Sequence, residues 1–308
     1  MDILKHNGVI VVNIDSVTWQ DILEHKTLSY PQLMVDLGNL KRSKSKQNTG
    51  SFYGNPVLYH YQLKNLLNCR RQNSPTLKEL WDDPDERSKL LKQTAQLGRK
   101  GPSPAGNIFE AFRINRGSIV MFKASVAKHV YDYCRSKSVV DPCAGWGGRM
   151  LGAWAMGIDY TGIDTNINLK SAYEDMMLLL DDYDDLGELF VVPRGKLKML
   201  WQDALKVDYS EIEYDTILTS PPYVNLEVYE HMTEWRAKKD FYCDFLLPLW
   251  HKTWDNLPKG GHSCWNISPT MFDDVMKLGM ISPTDEIDLV QQLGDAHKRQ
   301  DKIYIWKK

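Results

Sequence analysis

Residues 138–149 read Ser138-Val139-Val140-Asp141-Pro142-Cys143-Ala144-Gly145-Trp146-Gly147-Gly148-Arg149, a short apolar run that breaks into a glycine-rich turn. The run has the length and character of a strand, and Met150–Met156 behind it continues as a helix. Glycines at 145, 147 and 148 let the backbone approach a ligand closely and bend sharply into that helix. The pattern is neither Gly-x-Gly-x-x-Gly nor a phosphate loop ending in Gly-Lys-Ser/Thr. Tyr160–Asp164 is a second strand, and Asp164 at its end is spaced to reach ribose hydroxyls. On these two elements alone a dinucleotide-binding fold stays open.

Downstream the alternation continues. A helix over Ile167–Leu180 carries Leu169, Ala172, Tyr173, Met176, Met177 and Leu180 on one side. Strands follow at Lys198–Trp201 and Thr216–Leu218, then a helix over Phe241–Leu257, a strand from Gly261 to Ile267 and a terminal strand at Ile303–Trp306. Such alternation predicts an α/β fold with an open, mostly parallel sheet covered on both faces. Ligands in these sheets bind outside the carboxyl ends of strands, where the strand order reverses. The fourth strand ends in Thr219-Ser220-Pro221-Pro222-Tyr223. Its two prolines remove donors and freeze φ, so nearby carbonyls are presented as acceptors beside a protruding aromatic ring.

Together these elements resemble the S-adenosylmethionine-dependent methyltransferases that modify exocyclic amino groups of nucleobases, over roughly residues 107–308. The resemblance implies a Rossmann-like class I methyltransferase fold with a seven-stranded sheet, and S-adenosyl-L-methionine as cofactor. It places the methionine part of the cofactor on Asp141, Pro142, Cys143, Ala144 and the glycines Gly145, Gly147 and Gly148. Asp164 would take the ribose and Asp203 the adenine amino group, while Phe122 and Lys123 would complete the pocket. Leu257–Gly261 resembles the turn before the fifth strand. The loop departs from the family in carrying Cys143 and Trp146 where a Phe and a small polar residue are more usual.

The catalytic set implied is Ser220, Pro221, Pro222 and Tyr223. An exocyclic amine is a poor nucleophile because its lone pair is delocalised into the ring. Acceptors at Ser220 Oγ and the Pro221 carbonyl can bond its two N–H groups and favour a pyramidal nitrogen aimed at the sulfonium methyl. Tyr223 would stack on the base, flipped out first where the substrate is a duplex. No metal and no covalent intermediate are expected. Pro142-Cys143 resembles the dipeptide of cytosine-C5 enzymes, but it lies in the cofactor loop, so Cys143 reads as a small buried residue. His129, His231, His251, His262 and His297 show no metal-ligand spacing. The resemblance implies cytosine N4 over adenine N6, since the family's adenine enzymes more often carry Asp or Asn where Ser220 stands, with DNA as substrate. The alternatives are an RNA amino-methyltransferase and a non-catalytic nucleic-acid-binding subunit. The compact form is similar to stand-alone enzymes of phages and other viruses.

Composition sets the outer bounds. The 308 residues are 43 % hydrophobic and carry a net charge of −2, with ten Trp and fifteen Tyr, which fits a soluble globular protein and argues against disorder. No stretch approaches the roughly 20 apolar residues of a membrane span, and the N-terminus shows no signal-peptide pattern. Five scattered cysteines without a Cys-x-x-Cys pair fit a reducing, intracellular setting. The charge is unevenly spread, with 21 Lys and Arg against 12 Asp and Glu in residues 1–137, and 17 against 28 beyond. The stretch 98–106 reads as a loop or linker by composition, so residues 1–106 read as a basic N-terminal region for nucleic-acid recognition, and 107–308 as the catalytic domain. Lys41, Arg42, Lys44 and Lys46, with Phe52 and Tyr53 behind them, are the preferred nucleic-acid surface, and His297-Lys298-Arg299 is a second.

Overall fold

The computed structural model describes the chain apart from residues 1–2, 7–8, 13, 45–50, 72–73, 98–102, 118, 187–193, 225–226, 229–234, 236 and 290–301. Two short antiparallel strands, β1 (Ile3–His6) and β2 (Val9–Val12), open the chain. Helices α1 (Trp19–Glu24), α2 (Tyr30–Arg42) and α3 (Asn55–Leu67) follow, then the two-residue strand β3 (Arg70–Arg71). Residues 77–96 form two helices, α4 (Leu77–Asp82) and α5 (Pro84–Gln96). Pro84 has no N–H for the preceding turn, and the Asp83 carboxylate caps the new helix by accepting from the N–H groups of Asp85 (2.9 Å) and Glu86 (3.1 Å). Helices α6 (Pro104–Arg116) and α7 (Ala124–Cys134) lead to the sheet.

From there strand and helix alternate as the sequence predicts: β4 (Ser138–Asp141), α8 (Gly148–Met156), β5 (Asp159–Asp164), α9 (Lys170–Leu186), β6 (Leu197–Trp201) and β7 (Thr216–Thr219). A two-residue strand β8 (Glu227–Val228) and helix α10 (Lys238–Phe241) come next. Tyr242–Leu246 forms a π-helical turn that runs into α11 (Leu247–Asn256). The widening sits where Pro248 cannot donate to the carbonyl four residues earlier. β9 (His262–Ile267), α12 (Pro269–Lys277), β10 (Asp285–Asp288) and β11 (Lys302–Lys307) close the fold.

The main sheet has seven strands in the order β10-β11-β9-β7-β4-β5-β6, and only β11 runs against its neighbours. Counted from β4 this is 6-7-5-4-1-2-3 with the seventh strand reversed, the Rossmann-like class I methyltransferase fold. β4 and β7 are buried along nearly their whole length, as parallel strands covered on both faces must be. They pair in register, Val139 with Thr216 and Val140 with Ile217, so their carboxyl ends emerge side by side. The chain leaves β4 toward β5 on one side and returns through β7 on the other, which makes the gap above this pair the switch point. One core lies on each face. Val140, Ile217, Leu249, Trp250, Trp265 and Trp306 belong to one, and Val139, Leu151, Tyr173 and Met176 to the other.

The N-terminal helices are part of that second core. Leu37, Leu40, Leu58 and Leu67 share it with Ala124 and Leu151, and the boundary expected between residues 106 and 107 falls inside α6. Lys128 of α7 fastens the join. Its ammonium donates to the carbonyls of Leu40 (2.8 Å), Lys41 (2.8 Å) and Ser43 (2.6 Å), satisfying the end of α2 with a cation where the helix dipole is negative. Lys128→Met keeps the stem but strands these carbonyls. Urea unfolding is expected to show a loss of about 2 kcal/mol at unchanged m, and a loss under about 0.5 kcal/mol would mean that the cap is replaceable by water. No helix among the described residues is long and apolar enough to cross a membrane.

Candidate functional site

The glycine-rich loop is built around a buried ion pair. Asp141 is fully buried at the end of β4, and its Oδ2 accepts from Arg149 Nε at 2.6 Å and from the Tyr160 hydroxyl at 2.7 Å. Its Oδ1 faces the Cys143 N–H at 3.4 Å. Arg149 also donates to the Cys143 carbonyl, and Tyr131 bonds the Arg149 carbonyl at 3.1 Å. Burial works against charge on Arg149, but Asp141, assisted by its other neighbours, more than restores it. Asp141 therefore lies behind the loop. Its Oδ2 is engaged by Arg149 and Tyr160, which places the carboxylate where it shapes the loop. Arg149 was not among the sequence-derived site residues; its only signal is a cation at the second residue of the helix that follows the glycine-rich turn.

Asp164 ties the same loop to the end of β5. Its Oδ2 accepts from the Gly145 N–H at 2.8 Å and its Oδ1 from the Asn166 N–H at 2.9 Å. Burial raises its pKa to about 6 against those two backbone hydrogen bonds, which pull it down. Gly145 sits at φ +56° and Gly147 at +92°, the left-handed region that favours glycine. Tyr173 lies under the loop, its hydroxyl 3.0 Å from the Gly145 carbonyl and 3.2 Å from that of Ala144, with its ring edge-on to Trp201. Phe122 crosses the loop from the other side. Its carbonyl would stand 1.8 Å from any Cβ at Gly148, and the Arg149 guanidinium lies 4.9 Å over its ring. Lys123 lies 4.3 Å over the exposed ring of Phe52, and burial lowers its pKa. Asp203 follows the end of β6, where its Oδ1 accepts from the Leu205 N–H at 2.9 Å and half its side chain stays exposed.

The Ser-Pro-Pro-Tyr corner leaves β7 at the same end of the sheet. Cys143 of the glycine-rich loop lies against Thr219, the residue before Ser220. Burial pushes the Cys143 thiol far above its ordinary range, which denies it a thiolate. Pro221 is buried, and Pro222, Tyr223 and Val224 are half-buried. The Ser220 hydroxyl donates to Asn266, whose Oδ1 is 3.2 Å and carbonyl 3.4 Å away. Asn266 in turn donates from Nδ2 to the Lys302 carbonyl at 3.1 Å. This chain across β9 and β11 fixes the Ser220 proton and leaves its oxygen lone pairs for an incoming donor. Asn266 was missed in the sequence, where a polar residue inside the apolar Cys264–Ile267 run was its only mark. Among the described residues no group of three His, Cys, Asp or Glu side chains could hold a metal ion.

Of the expected basic surface, Lys41 alone is seen turned inward among the described residues. Lys41 pairs with Asp184 at 2.5 Å and packs over Trp154 and Tyr183, at 4.4 and 5.3 Å from the ring centres. It is a buttress between α2 and α9. Arg42 and Lys44 are exposed, Arg42 donating to Asn39 at 3.1 Å. Lys46, His297, Lys298 and Arg299 lie outside the described residues.

No protein-family model and no curated protein matches the chain. Among solved structures, a putative class I S-adenosylmethionine-dependent methyltransferase from Listeria monocytogenes is similar at 12 % identity, with 90 % of this chain and 88 % of that one covered and a TM-score of 0.40. An rRNA methylase from Streptococcus thermophilus is similar at 14 % identity over 62 % of this chain and 99 % of that one, with a TM-score of 0.36. An RNA methyltransferase from Salinibacter ruber, solved with S-adenosyl-L-homocysteine, is similar at 14 % identity over 61 % and 92 %, with a TM-score of 0.37. The fold assignment rests on the strand order and the single reversed strand described above.

Proposed function

We propose that the chain is an S-adenosylmethionine-dependent methyltransferase that modifies an exocyclic amino group of a nucleobase in a polynucleotide. One observation carries the reading: the glycine-rich loop and the Ser220 corner leave two neighbouring, in-register parallel strands at their shared carboxyl end. A donor held by the first loop and a base held by the second would face each other across the switch point.

The residues fit the cofactor. Asp164 keeps a spare lone pair on each oxygen after its two backbone hydrogen bonds, enough for two ribose hydroxyls. Gly145 and Gly147 hold the backbone in shapes that bring it close to a ligand, and Phe122–Lys123 closes the far side. When bound, the cofactor supplies an electrophilic sulfonium methyl. Ser220 and the Pro221 carbonyl accept the two N–H groups of the target amine, and Tyr223 supports the ring. The amine held there would take the methyl that the cofactor would supply, and its extra proton would leave the nitrogen for water.

Cytosine N4 remains the preferred target over adenine N6, on the serine at position 220. The corner reads only an amino group and a ring face, which cytosine carries in both DNA and RNA. RNA therefore stands beside DNA as substrate, since the 2′-hydroxyl that separates them would have to be read elsewhere.

Asp164 gives the binding step a pH dependence. Its folded pKa is raised from 3.8 to about 6, so ionisation costs stability: the cost is absent below about pH 4 and complete above about pH 6. Ribose hydroxyls need the carboxylate, so binding favours the ionised form and cofactor affinity rises with pH. Calorimetry is expected to give a Kd about tenfold weaker at pH 5 than at pH 7, and Asp164→Asn is expected to bind weakly at both. A flat profile in the unsubstituted protein would remove Asp164 from the ribose site. The reading as a whole is tested by incubation with methyl-labelled cofactor and mixed DNA and RNA. Label is expected in nucleic acid. Absence of both label and any cofactor-induced rise in Tm would favour a non-catalytic subunit.

A further inference from the structure

Two aromatic side chains are held in solvent beside the glycine-rich loop. Phe52 and Tyr53, at 52 % and 41 % exposure, lead into α3 through a turn closed by the Asn55 N–H on the Phe52 carbonyl at 3.0 Å. Gly54 takes the third place of that turn at φ +86°, where a Cβ would stand 2.9 Å from the Ala124 Cβ and 3.0 Å from Leu40 Cδ2. Its N–H is held at 3.0 Å by the carboxylate of Asp36, which is itself buried. From α7 the Ser125 hydroxyl donates to the Ser51 carbonyl at 2.9 Å. A buried acid, a left-handed glycine and a helix side chain thus fix the backbone that carries two exposed rings. A surface ordered before its ligand arrives loses less entropy on binding.

The surroundings select the occupant. Lys123 lies 4.3 Å over the Phe52 ring, and the residue before it, Phe122, has its carbonyl against Gly148 of the glycine-rich loop. The rings therefore stand next to the backbone that walls the cofactor loop. Ser125 and Lys128, three positions apart, share one face of α7, and Lys128 holds the Ser43 carbonyl as Ser125 holds that of Ser51. The exposed Lys44, just past α2, is brought to that same face. The free parts of the two rings amount to roughly 200 Å², well short of the about 800 Å² per partner of a stable protein interface. Rings beside ammonium groups match a polynucleotide strand, which offers base faces and phosphates together.

We propose that Phe52 and Tyr53 stack on a base that flanks the target base in the substrate strand, with Lys44 on a neighbouring phosphate. The proposal rests on the methyltransferase reading and places strand contacts on the donor-loop side of the switch point.

The test is fluorescence anisotropy of the full chain with labelled 20-mers of single-stranded DNA and single-stranded RNA. Phe52→Ala with Tyr53→Ala is expected to weaken binding about tenfold. The slope of log Kd against log salt should not change, because stacking releases no counterions. Lys44→Ala is expected to lower that slope by about 0.7. Phe52→Trp keeps a stacking face and should hold the affinity within about twofold of the original. The cofactor-induced rise in Tm should be the same in the double variant as in the unsubstituted chain. An unchanged affinity in the double variant, or no binding of either oligonucleotide by the unsubstituted chain, overturns the proposal. So does a double variant that loses the cofactor-induced rise and keeps its oligonucleotide affinity, since the rings would then belong to the donor pocket. If the unsubstituted chain shows the cofactor-induced rise in these cases, only the stacking assignment falls; if it does not, the methyltransferase reading falls with it.

Discussion

Ser220→Ala is expected to slow methyl transfer about 100-fold while the cofactor-induced rise in Tm and the KM for nucleic acid stay near their original values. The hydroxyl donates to Asn266, so its oxygen faces an incoming amine as an acceptor already oriented. The hydrogen bond strengthens as the amine acquires positive charge during attack, and an interaction made mainly in the transition state appears in kcat. A 100-fold loss corresponds to about 2.7 kcal/mol. Asn266→Ala frees the Ser220 rotor without removing its oxygen, and a loss of about tenfold in kcat is expected. Asn266→Asp keeps an acceptor for the Ser220 proton and should recover much of it. Single-turnover transfer separates these effects from product release. Loss of cofactor binding in Ser220→Ala would instead place Ser220 in the donor site.

Arg149→Met is expected to cost about 3–5 kcal/mol of stability, because it leaves the Asp141 carboxylate buried at 0 % exposure without its cation. Cofactor affinity should fall as well, since the Cys143 carbonyl loses the guanidinium that holds the loop. Removing both charges, as Asp141→Leu with Arg149→Met, should regain part of the stability without regaining binding. Urea unfolding and calorimetry read the two effects separately. Equal stability of Arg149→Met and the unsubstituted chain would show that the pair is not what shapes the loop.

The parallel part of the sheet was legible because each of its strands is a compact apolar run ending in a marked turn. β10 was not: Asp285-Glu286-Ile287-Asp288 is three-quarters acidic, as suits an exposed edge strand whose sheet partner among the described residues is β11. The glycine-rich loop, Asp164 and the Ser220 corner were found from local pattern, since turns and strand ends announce themselves in a few residues. Pairings between distant residues were not. Lys41 reads as one charge in a basic run, yet Asp184, 143 positions later, draws it out of solvent. Asp141 shows its partners Arg149 and Tyr160 only in the fold, and Asn266 acquires meaning only when β9 and β11 flank the Ser220 corner. The boundary at 106 follows from the loop-like composition of 98–106, while packing joins α2 and α3 to the helices beside the sheet.

The most direct measurement is nucleoside mass spectrometry on DNA and RNA incubated with the chain and S-adenosylmethionine. Methyl groups on exocyclic nitrogen, as N4-methylcytosine or in second place N6-methyladenine, are the expected products, and Ser220→Ala should nearly abolish them. A methyl group on cytosine carbon 5 would demand the cysteine nucleophile that burial denies Cys143. That product, or unmodified nucleosides in both polymers, would contradict the reading of this crevice.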